Sequence, residues 1–418
     1  MHTERSYRRT VRILFTVYGT RPHIYPVVPL AWAFRAAGHD VRLTSTPNWT
    51  ADMIATGLPT VTVGGSPQVA REVRDALAGA QYSQPSWPTD WVTKVDQLDR
   101  AKLTYLESLG RYLVAAAEAM VDDLVAFATD WAPDAVVYDG ITYAGPVAAG
   151  ATGAVAVRHL TGTDSAQRLE LTQPGPEPLP EYAALFERFG VAVRTEASVT
   201  VDPTPPSMRL GTPPGLQGMR YVPYNGPGML PDGLTGPRSR PRVCVTWGHS
   251  MSNAIGAEGA SPFVQAVLAT AELGMDCLVA APPAEIERLG RLPDSVRALT
   301  SAPLHRVLPH CDAIVHHGGD GTALTAATVA VPQLVITGNP EGDLCAGRLA
   351  SNGAGTYLCR QDLRDDPASA STIRNAVDKL LSDSAYTDGA QRLREEIERQ
   401  PTPADVVATL AAELRGGA

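Results

Sequence analysis

The chain alternates between short apolar runs and longer stretches in which apolar residues recur at helical spacing. Residues 11–17 are β-rich, and Tyr18-Gly19-Thr20-Arg21-Pro22-His23 breaks the run. Over 26–38, Val28, Leu30, Ala31, Phe34 and Ala37 follow a helical period that stops on a glycine. Further strands are predicted at 40–44, at 60–63 ahead of Gly64-Gly65, and at 135–138 ahead of Asp139. Between them, 103–131 predicts a long helix with Leu106, Leu113, Met120 and Leu124 on one face. This β-loop-α-β rhythm belongs to a parallel sheet with crossover helices. Residues 83–91 carry Trp87, Trp91 and two prolines and read as a loop with exposed aromatics, of the kind that binds or docks. Packing onto its own domain is the equal alternative.

The pattern is lost over 202–241, where forty residues hold ten prolines and seven glycines. That composition marks a domain boundary and a semi-rigid linker. A second series follows, with strands at 243–246, 276–280, 313–316 and 333–336 and helices at 262–273 and 323–329. Two doubly wound α/β halves place a ligand in the cleft between them, at the carboxyl ends of both sheets. The expected division is 1–215 for the first domain, 216–241 for the linker and 242–400 for the second domain. A last helix over 401–418 should return to the first domain.

Length and composition agree with this division. A chain of 418 residues exceeds one ordinary core. Apolar residues make up 44% and charged residues 19%, as in globular proteins. The net charge of −9, with no basic cluster beyond Arg8-Arg9, argues against a nucleic-acid partner. The five cysteines form no C-x-x-C pair and read as buried, reduced thiols. No apolar run reaches the roughly 18 residues needed to span a bilayer, and no secretory signal is visible, so a cytoplasmic protein is expected.

The strongest chemical signal is Val315-His316-His317-Gly318-Gly319-Asp320-Gly321-Thr322, between a predicted strand and a predicted helix. Glycines let the backbone approach a bound group, and the free N–H groups of a first helical turn favour an anion. Thr322 adds a hydroxyl donor. There is no Gly-Lys-Ser/Thr, which excludes a P-loop, and Gly319-x-Gly321 alone is a weak dinucleotide match. A tight strand-to-helix turn without a ligand is the competing reading.

This turn resembles the nucleotide-sugar signature of the GT-B glycosyltransferases of glycosyltransferase family 1. The resemblance is closer to the actinobacterial enzymes that attach deoxysugars to macrolide and anthracycline-type aglycones, with the desosaminyl-transferase-like subfamily nearest. Two further blocks carry it: Pro29-Leu30-Ala31-Trp32-Ala33-Phe34-Arg35-Ala36-Ala37-Gly38-His39, and Gly218-Met219-Arg220-Tyr221-Val222-Pro223-Tyr224-Asn225-Gly226-Pro227 in the linker. Val331-Pro332-Gln333 behind the glycine-rich turn extends the match.

The resemblance implies a GT-B fold, two Rossmann-like domains facing across a cleft. It implies that Gly318, Gly319, Gly321 and Thr322 hold a diphosphate, with His317 on a phosphate oxygen. Thr246, Gly248 and Ser250 would meet the same phosphates or the ribose, and Pro303, Leu304 and His305 would lie along the base. Asp343 falls where relatives present a carboxylate to sugar hydroxyls. The implied donor is a thymidine-diphosphate (TDP) deoxysugar, the acceptor a hydrophobic polyketide-type aglycone, and the transfer inverting. No D-x-D motif is present, in keeping with a metal-free site, and no cofactor beyond the donor is expected. Relatives often work with a cytochrome-P450-like auxiliary protein. Docking of such a protein on the first domain, and a homodimer, are compatible with the sequence.

His23 lies at the carboxyl end of the first strand, ahead of the first helix, and an imidazole there can take a proton from an acceptor hydroxyl. The resemblance favours this over a surface histidine, because relatives keep their base in the same Arg-x-His context. Asp139, ending its own strand, would point into the same crevice and orient His23; a turn-capping aspartate is the competitor. His39 and His159 read as structural. A nucleotide-sugar epimerase of the same fold and a non-catalytic nucleotide-sugar-binding partner are the rival functions.

The chain departs from its relatives at two positions. They commonly carry a small residue at 320 and glutamine after the carboxylate at 343; here stand Asp320 and Leu344, with Glu341 nearby. A carboxylate beside a diphosphate is unfavourable unless a cation intervenes. One expectation is therefore an amino-deoxysugar whose ammonium is paired by Asp320, Asp343 or Glu341. An outward-facing Asp320 is the alternative.

Overall fold

The computed structural model describes residues 10–67, 77, 87–163, 168–247, 261–300, 302–363 and 366–416. The first half is a parallel sheet of β1 (Arg12–Thr16), β2 (Asp40–Ser45), β3 (Thr60–Thr62), β4 (Ala135–Asp139), β5 (Val155–His159), β6 (Val199–Asp202) and β7 (Leu216–Gly218). Its spatial order is β3-β2-β1-β4-β5-β6-β7. The second is a parallel sheet of β8 (Arg242–Thr246), β9 (Asp276–Ala281), β10 (Val296–Thr300), β11 (Ala313–His316), β12 (Gln333–Thr337) and β13 (Gly355–Cys359). Its order is β10-β9-β8-β11-β12-β13. Both orders reverse beside the first strand, between β1 and β4 and between β8 and β11. Parallel sheets of this kind bind ligands at such a reversal, beyond the carboxyl ends of the strands.

Central strands are buried on both faces, so they read as continuous apolar runs: every residue of β4 and of β8 is buried. The helices of the first half are α1 (Arg21–Ala36), α2 (Thr50–Ala55), α3 (Arg100–Trp131), α4 (Ala144–Thr152) and α5 (Pro180–Glu187). Those of the second are α6 (Ser261–Glu272), α7 (Pro283–Arg288), α8 (Leu304–Val307), α9 (Asp320–Ala327), α10 (Pro340–Ser351), α11 (Pro367–Ser382), α12 (Ser384–Arg399) and α13 (Pro403–Gly416). Helix α3 starts where the Asp99 carboxylate accepts the Lys102 N–H, and it ends at Ala132 in the left-handed region. Its apolar stripe packs with α4 against one face of the first sheet. Helix α1 covers the other face together with α13, whose Val406, Val407, Leu410 and Ala411 join the core of the first half. In the second half, α6 and α11 cover one face of the sheet.

Three expectations change. Helix α1 begins at Arg21, five residues before the predicted start, so His23 sits in its first turn and not ahead of it. Pro22 permits this, because first-turn residues have no intrahelical acceptor for an N–H. Residues 216–218, read as linker, form the edge strand β7, paired to β6; a strand of three residues leaves no period to detect. Trp87 and Trp91 are not exposed aromatics but core, at 5% and 1% exposure. Their rings stand edge-on at 5.0 Å, and Trp87 packs on Tyr105 of α3. The Trp91 indole N–H donates to the Pro340 carbonyl of the second half at 3.0 Å.

Among the described residues no helix is long and apolar enough to cross a membrane. All five cysteines are free thiols, four of them buried. Because Trp91 anchors the 87–91 loop to both halves, Trp91→Ala should cost about 3–5 kcal/mol of stability, the range for a buried aromatic truncated to alanine. Urea denaturation followed by circular dichroism reads this as a lowered midpoint.

Candidate active site

The two sheet reversals bring two clusters to the carboxyl edges of the sheets. In the first half, β4 ends on Asp139, which is fully buried, and α1 leads His23 over it. His23 Nδ1 lies 2.6 Å from Asp139 Oδ2, and the imidazole keeps 22% of its surface exposed. The other carboxylate oxygen, Oδ1, accepts a short hydrogen bond from Thr142 Oγ1. Thr142 in turn accepts the Tyr18 N–H at 2.6 Å. The carboxylate is thus pinned from behind and presents one oxygen to the imidazole. This close approach brings the imidazole and the buried carboxylate together as an ion-pair contact at the carboxyl edge of the sheet.

His159, next to Asp139 in the parallel register, is fully buried, and burial lowers its pKa to about 4. His39 is also held structurally: its Nδ1 accepts the Val11 N–H at 3.4 Å, and its ring tilts against Phe34.

In the second half, β11 runs into the glycine-rich turn. His316 is fully buried between two partners: its Nδ1 accepts the Gly318 N–H at 3.1 Å, and its Nε2 lies 3.0 Å from Gln333 Oε1. Only the tautomer with Nε2–H satisfies both contacts. Gly318 has φ +98° and approaches α10 so closely that a Cβ would lie 2.8 Å from Gly342 Cα. Only glycine meets both conditions. Helix α9 then starts at Asp320 with Gly319 as N-cap. Asp320, Gly321 and Thr322 therefore lie in its first turn, three residues before the predicted start. That turn offers N–H groups to an anion.

His317 is half-buried, and burial lowers its pKa to about 4. With no anion beside it, the ring is neutral near pH 7. Thr246, at the end of β8, is buried beside His316 in the sheet. Gly248 and Ser250 lie outside the described residues.

The linker block explains itself in the structure. Tyr221 Oη donates to the Gly321 carbonyl at 3.2 Å and lies 3.3 Å from Thr325 Oγ1, both on α9. Asn225 Nδ2 donates to Thr325 Oγ1 at 3.3 Å, while its Oδ1 accepts the His305 N–H at 2.9 Å. Tyr224 stands edge-on to Tyr25 of α1 at 5.2 Å. The linker therefore ties α1, α9 and the segment Pro303, Leu304 and His305 into one frame. His305 Nδ1 also lies 3.1 Å from Asn225 Oδ1, and burial, with Arg306 beside it, lowers the pKa of the ring.

The three residues expected at the sugar, Asp320, Asp343 and Leu344, are placed differently from one another. Asp343 is buried; its Oδ1 accepts from Thr337 Oγ1 and its Oδ2 from the Trp87 N–H, each at 2.9 Å. Burial raises the pKa of this carboxyl. Leu344 is fully buried in the cluster of Trp87, Trp91 and Tyr105, so its side chain is part of the core and turned from the cleft. Asp320 is half-buried, and its Oδ1 accepts from Thr163 Oγ1 at 2.8 Å; it does not face outward.

Sequence reasoning missed Thr142, Gln333, Thr163 and the Trp87 N–H as partners of the site. Thr142 carried a local signal, three residues after Asp139 in a turn; the others join the site only through tertiary contacts.

The chain is similar to known proteins over nearly its whole length. Residues 32–248 match the family model described as erythromycin biosynthesis protein CIII-like, N-terminal domain, and 265–413 match its C-terminal counterpart. The chain is 37% identical over 423 residues to the 10-deoxymethynolide desosaminyltransferase of Streptomyces venezuelae, covering 96% of each chain. It is also 37% identical over 429 residues to the aklavinone 7-beta-L-rhodosaminyltransferase of Streptomyces galilaeus, covering 96% of this chain and 95% of that one. The structure of the glycosyltransferase VinC in complex with DTDP matches with a TM-score of 0.78 at 31% identity, over 97% of this chain and 100% of that one.

The buried imidazoles set a pH limit. His159 and His316, both fully buried, are held near 4 and 3 in the folded chain, against about 6.5 when exposed. Below 6.5 the unfolded chain takes up protons that the folded chain refuses. Stability should therefore be flat above pH 6.5 and fall steadily toward pH 4. Thermal melts across that range test it; a melting temperature unchanged down to pH 4.5 would contradict buried neutral histidines.

Proposed function

The chain belongs to the erythromycin biosynthesis protein CIII-like family and is a glycosyltransferase of the GT-B fold, and we propose that it moves a deoxysugar from a TDP donor to a polyketide-type aglycone with inversion, using His23 as general base. The observation that carries this reading is the 2.6 Å contact between His23 Nδ1 and the buried Asp139 carboxylate at the carboxyl edge of the first sheet. The TDP donor is supported by the diphosphate-suited turn and by a solved relative that holds DTDP. The aglycone class is supported by relatives named for 10-deoxymethynolide and aklavinone.

In this mechanism the acceptor hydroxyl oxygen attacks the anomeric carbon from the face opposite the diphosphate. As the new C–O bond forms, the bond to the phosphate oxygen breaks and TDP leaves with its electron pair. The hydroxyl proton passes to His23 Nε2, and Asp139 stabilises the imidazolium that results. The charge developing on the leaving diphosphate is met by the first turn of α9 and by a hydrogen bond from His317. These dipoles are already in place and need no reorganisation. No step in this scheme requires a metal ion.

His23→Ala should lower kcat by about 10²–10⁴, the usual contribution of a positioned base. Asp139→Asn should lower it by at least about 10², since the imidazole loses the partner that sets its tautomer. TDP affinity by calorimetry should stay within about twofold in both, as neither residue lies at the diphosphate turn. Undiminished transfer by His23→Ala would remove the mechanism and leave the family intact. Incubating wild-type enzyme with donor alone separates transfer from epimerisation, which would change the sugar without an acceptor.

A further inference from the structure

Asp320 occupies an unusual place for a carboxylate. It is the first residue of α9, whose first-turn N–H groups are the proposed diphosphate site. An acidic side chain is favoured there by the helix dipole, yet it would repel a diphosphate held a few ångströms away. The geometry shows how the conflict is relieved. Asp320 Oδ1 accepts from Thr163 Oγ1 at 2.8 Å, and Thr163 is only 3% exposed. Gly162 lies so close that a Cβ built on it would overlap the Asp320 side chain. Gly162 and Thr163 belong to the loop that leaves β5 at His159, in the other half of the molecule, and His159 is the register partner of Asp139. A short path therefore joins the leaving-group helix to the strand beside the proposed base.

We propose that Asp320 is a positioning residue that ties the donor helix α9 to the acceptor-domain loop 160–163 through Thr163, with Gly162 supplying the space that lets the two halves meet. This inference rests on the function proposed above. The carboxylate is drawn across the cleft toward the first domain, so its role is to set the distance between donor and acceptor sites, and pairing with a sugar ammonium is not its purpose. The bond from the Trp87 N–H to Asp343 on α10 is a second tie between the halves. Loss of Asp320 therefore loosens the cleft without separating the domains.

The test is a double-mutant cycle on the full chain with Asp320→Ala, Thr163→Val and both together. It measures kcat and KM for donor and aglycone, TDP affinity and melting temperature. Each single change should lower kcat/KM for the aglycone about tenfold, the size expected for a hydrogen bond to a charged group. The double variant should lose no more than the worse single one. Melting temperature should fall modestly in each single variant and no further in the double one, and the preference between amino and neutral sugar donors should be unchanged. Thr163→Ser, which keeps the hydroxyl, should recover activity, and Gly162→Ala, which keeps both polar partners but fills the gap, should reproduce the loss.

Additive losses overturn the proposal, as does a neutral Thr163→Val beside an Asp320→Ala that alters donor preference. Should the wild-type chain bind TDP but transfer no sugar, the proposed function fails while the tie can still be read. Gly162→Ala must then enlarge the radius of gyration of the TDP-bound protein in small-angle scattering, and an unchanged radius sinks the idea.

Discussion

The site depends first on where each parallel sheet reverses its strand order. Beside β1 and β4, and again beside β8 and β11, the crossover helices leave on opposite faces of the sheet, and a crevice opens beyond the strand ends. His23 and Asp139 stand at the first reversal, and the glycine-rich turn stands at the second. Pairing of β1 with β4 in register, Thr16 opposite Tyr138, is what brings Tyr18 and Thr142 close enough to brace the Asp139 carboxylate. A shift of one residue in that pairing would turn every side chain of the strand to the other face and remove the cluster.

Burial then decides the charge state of the histidines at the glycine-rich turn. His316 and His317 are kept neutral, so the turn presents oriented N–H groups and no cationic imidazole. The His316 imidazole, set by Gln333, also consumes the Gly318 N–H and so fixes the path of the backbone through the turn. Fixed dipoles suit a group whose charge rises during the reaction, since they are arranged before it arrives.

The two halves meet through polar contacts in both directions: Arg348 of α10 and Asn352 at its C-cap donate to the Ser207 carbonyl of the first half, and further donors run the other way. Asp320, Asp343 and the Pro340 carbonyl each receive a donor from the first half: Thr163, the Trp87 N–H and the Trp91 indole. All three acceptors lie at the beginnings of α9 and α10, the helices that border the diphosphate turn. The linker adds Tyr221 and Asn225 to α9 from a third direction. Helices α9 and α10 are thus held by contacts from the first half and from the linker.

Much of this was legible in the amino-acid sequence. Buried parallel strands read as unbroken apolar runs, so most central strands, the long helix α3 and the glycine-rich turn were found at or near their places. Strands β5, β6, β7, β10 and β13 were not predicted: all are short, and polar or charged residues such as Arg158, His159, Thr200 and Asp202 interrupt the apolar run in β5 and β6. The resemblance to family 1 glycosyltransferases singled out His23 and the turn, because those blocks are local in sequence. Contacts between distant segments were beyond reach. That Trp87 and Trp91 are core, that Leu344 is turned into that core, and that Asp320 faces Thr163 all depend on how the halves dock. Local pattern specifies which face of an element is apolar; only tertiary packing decides what a polar side chain at its end will meet.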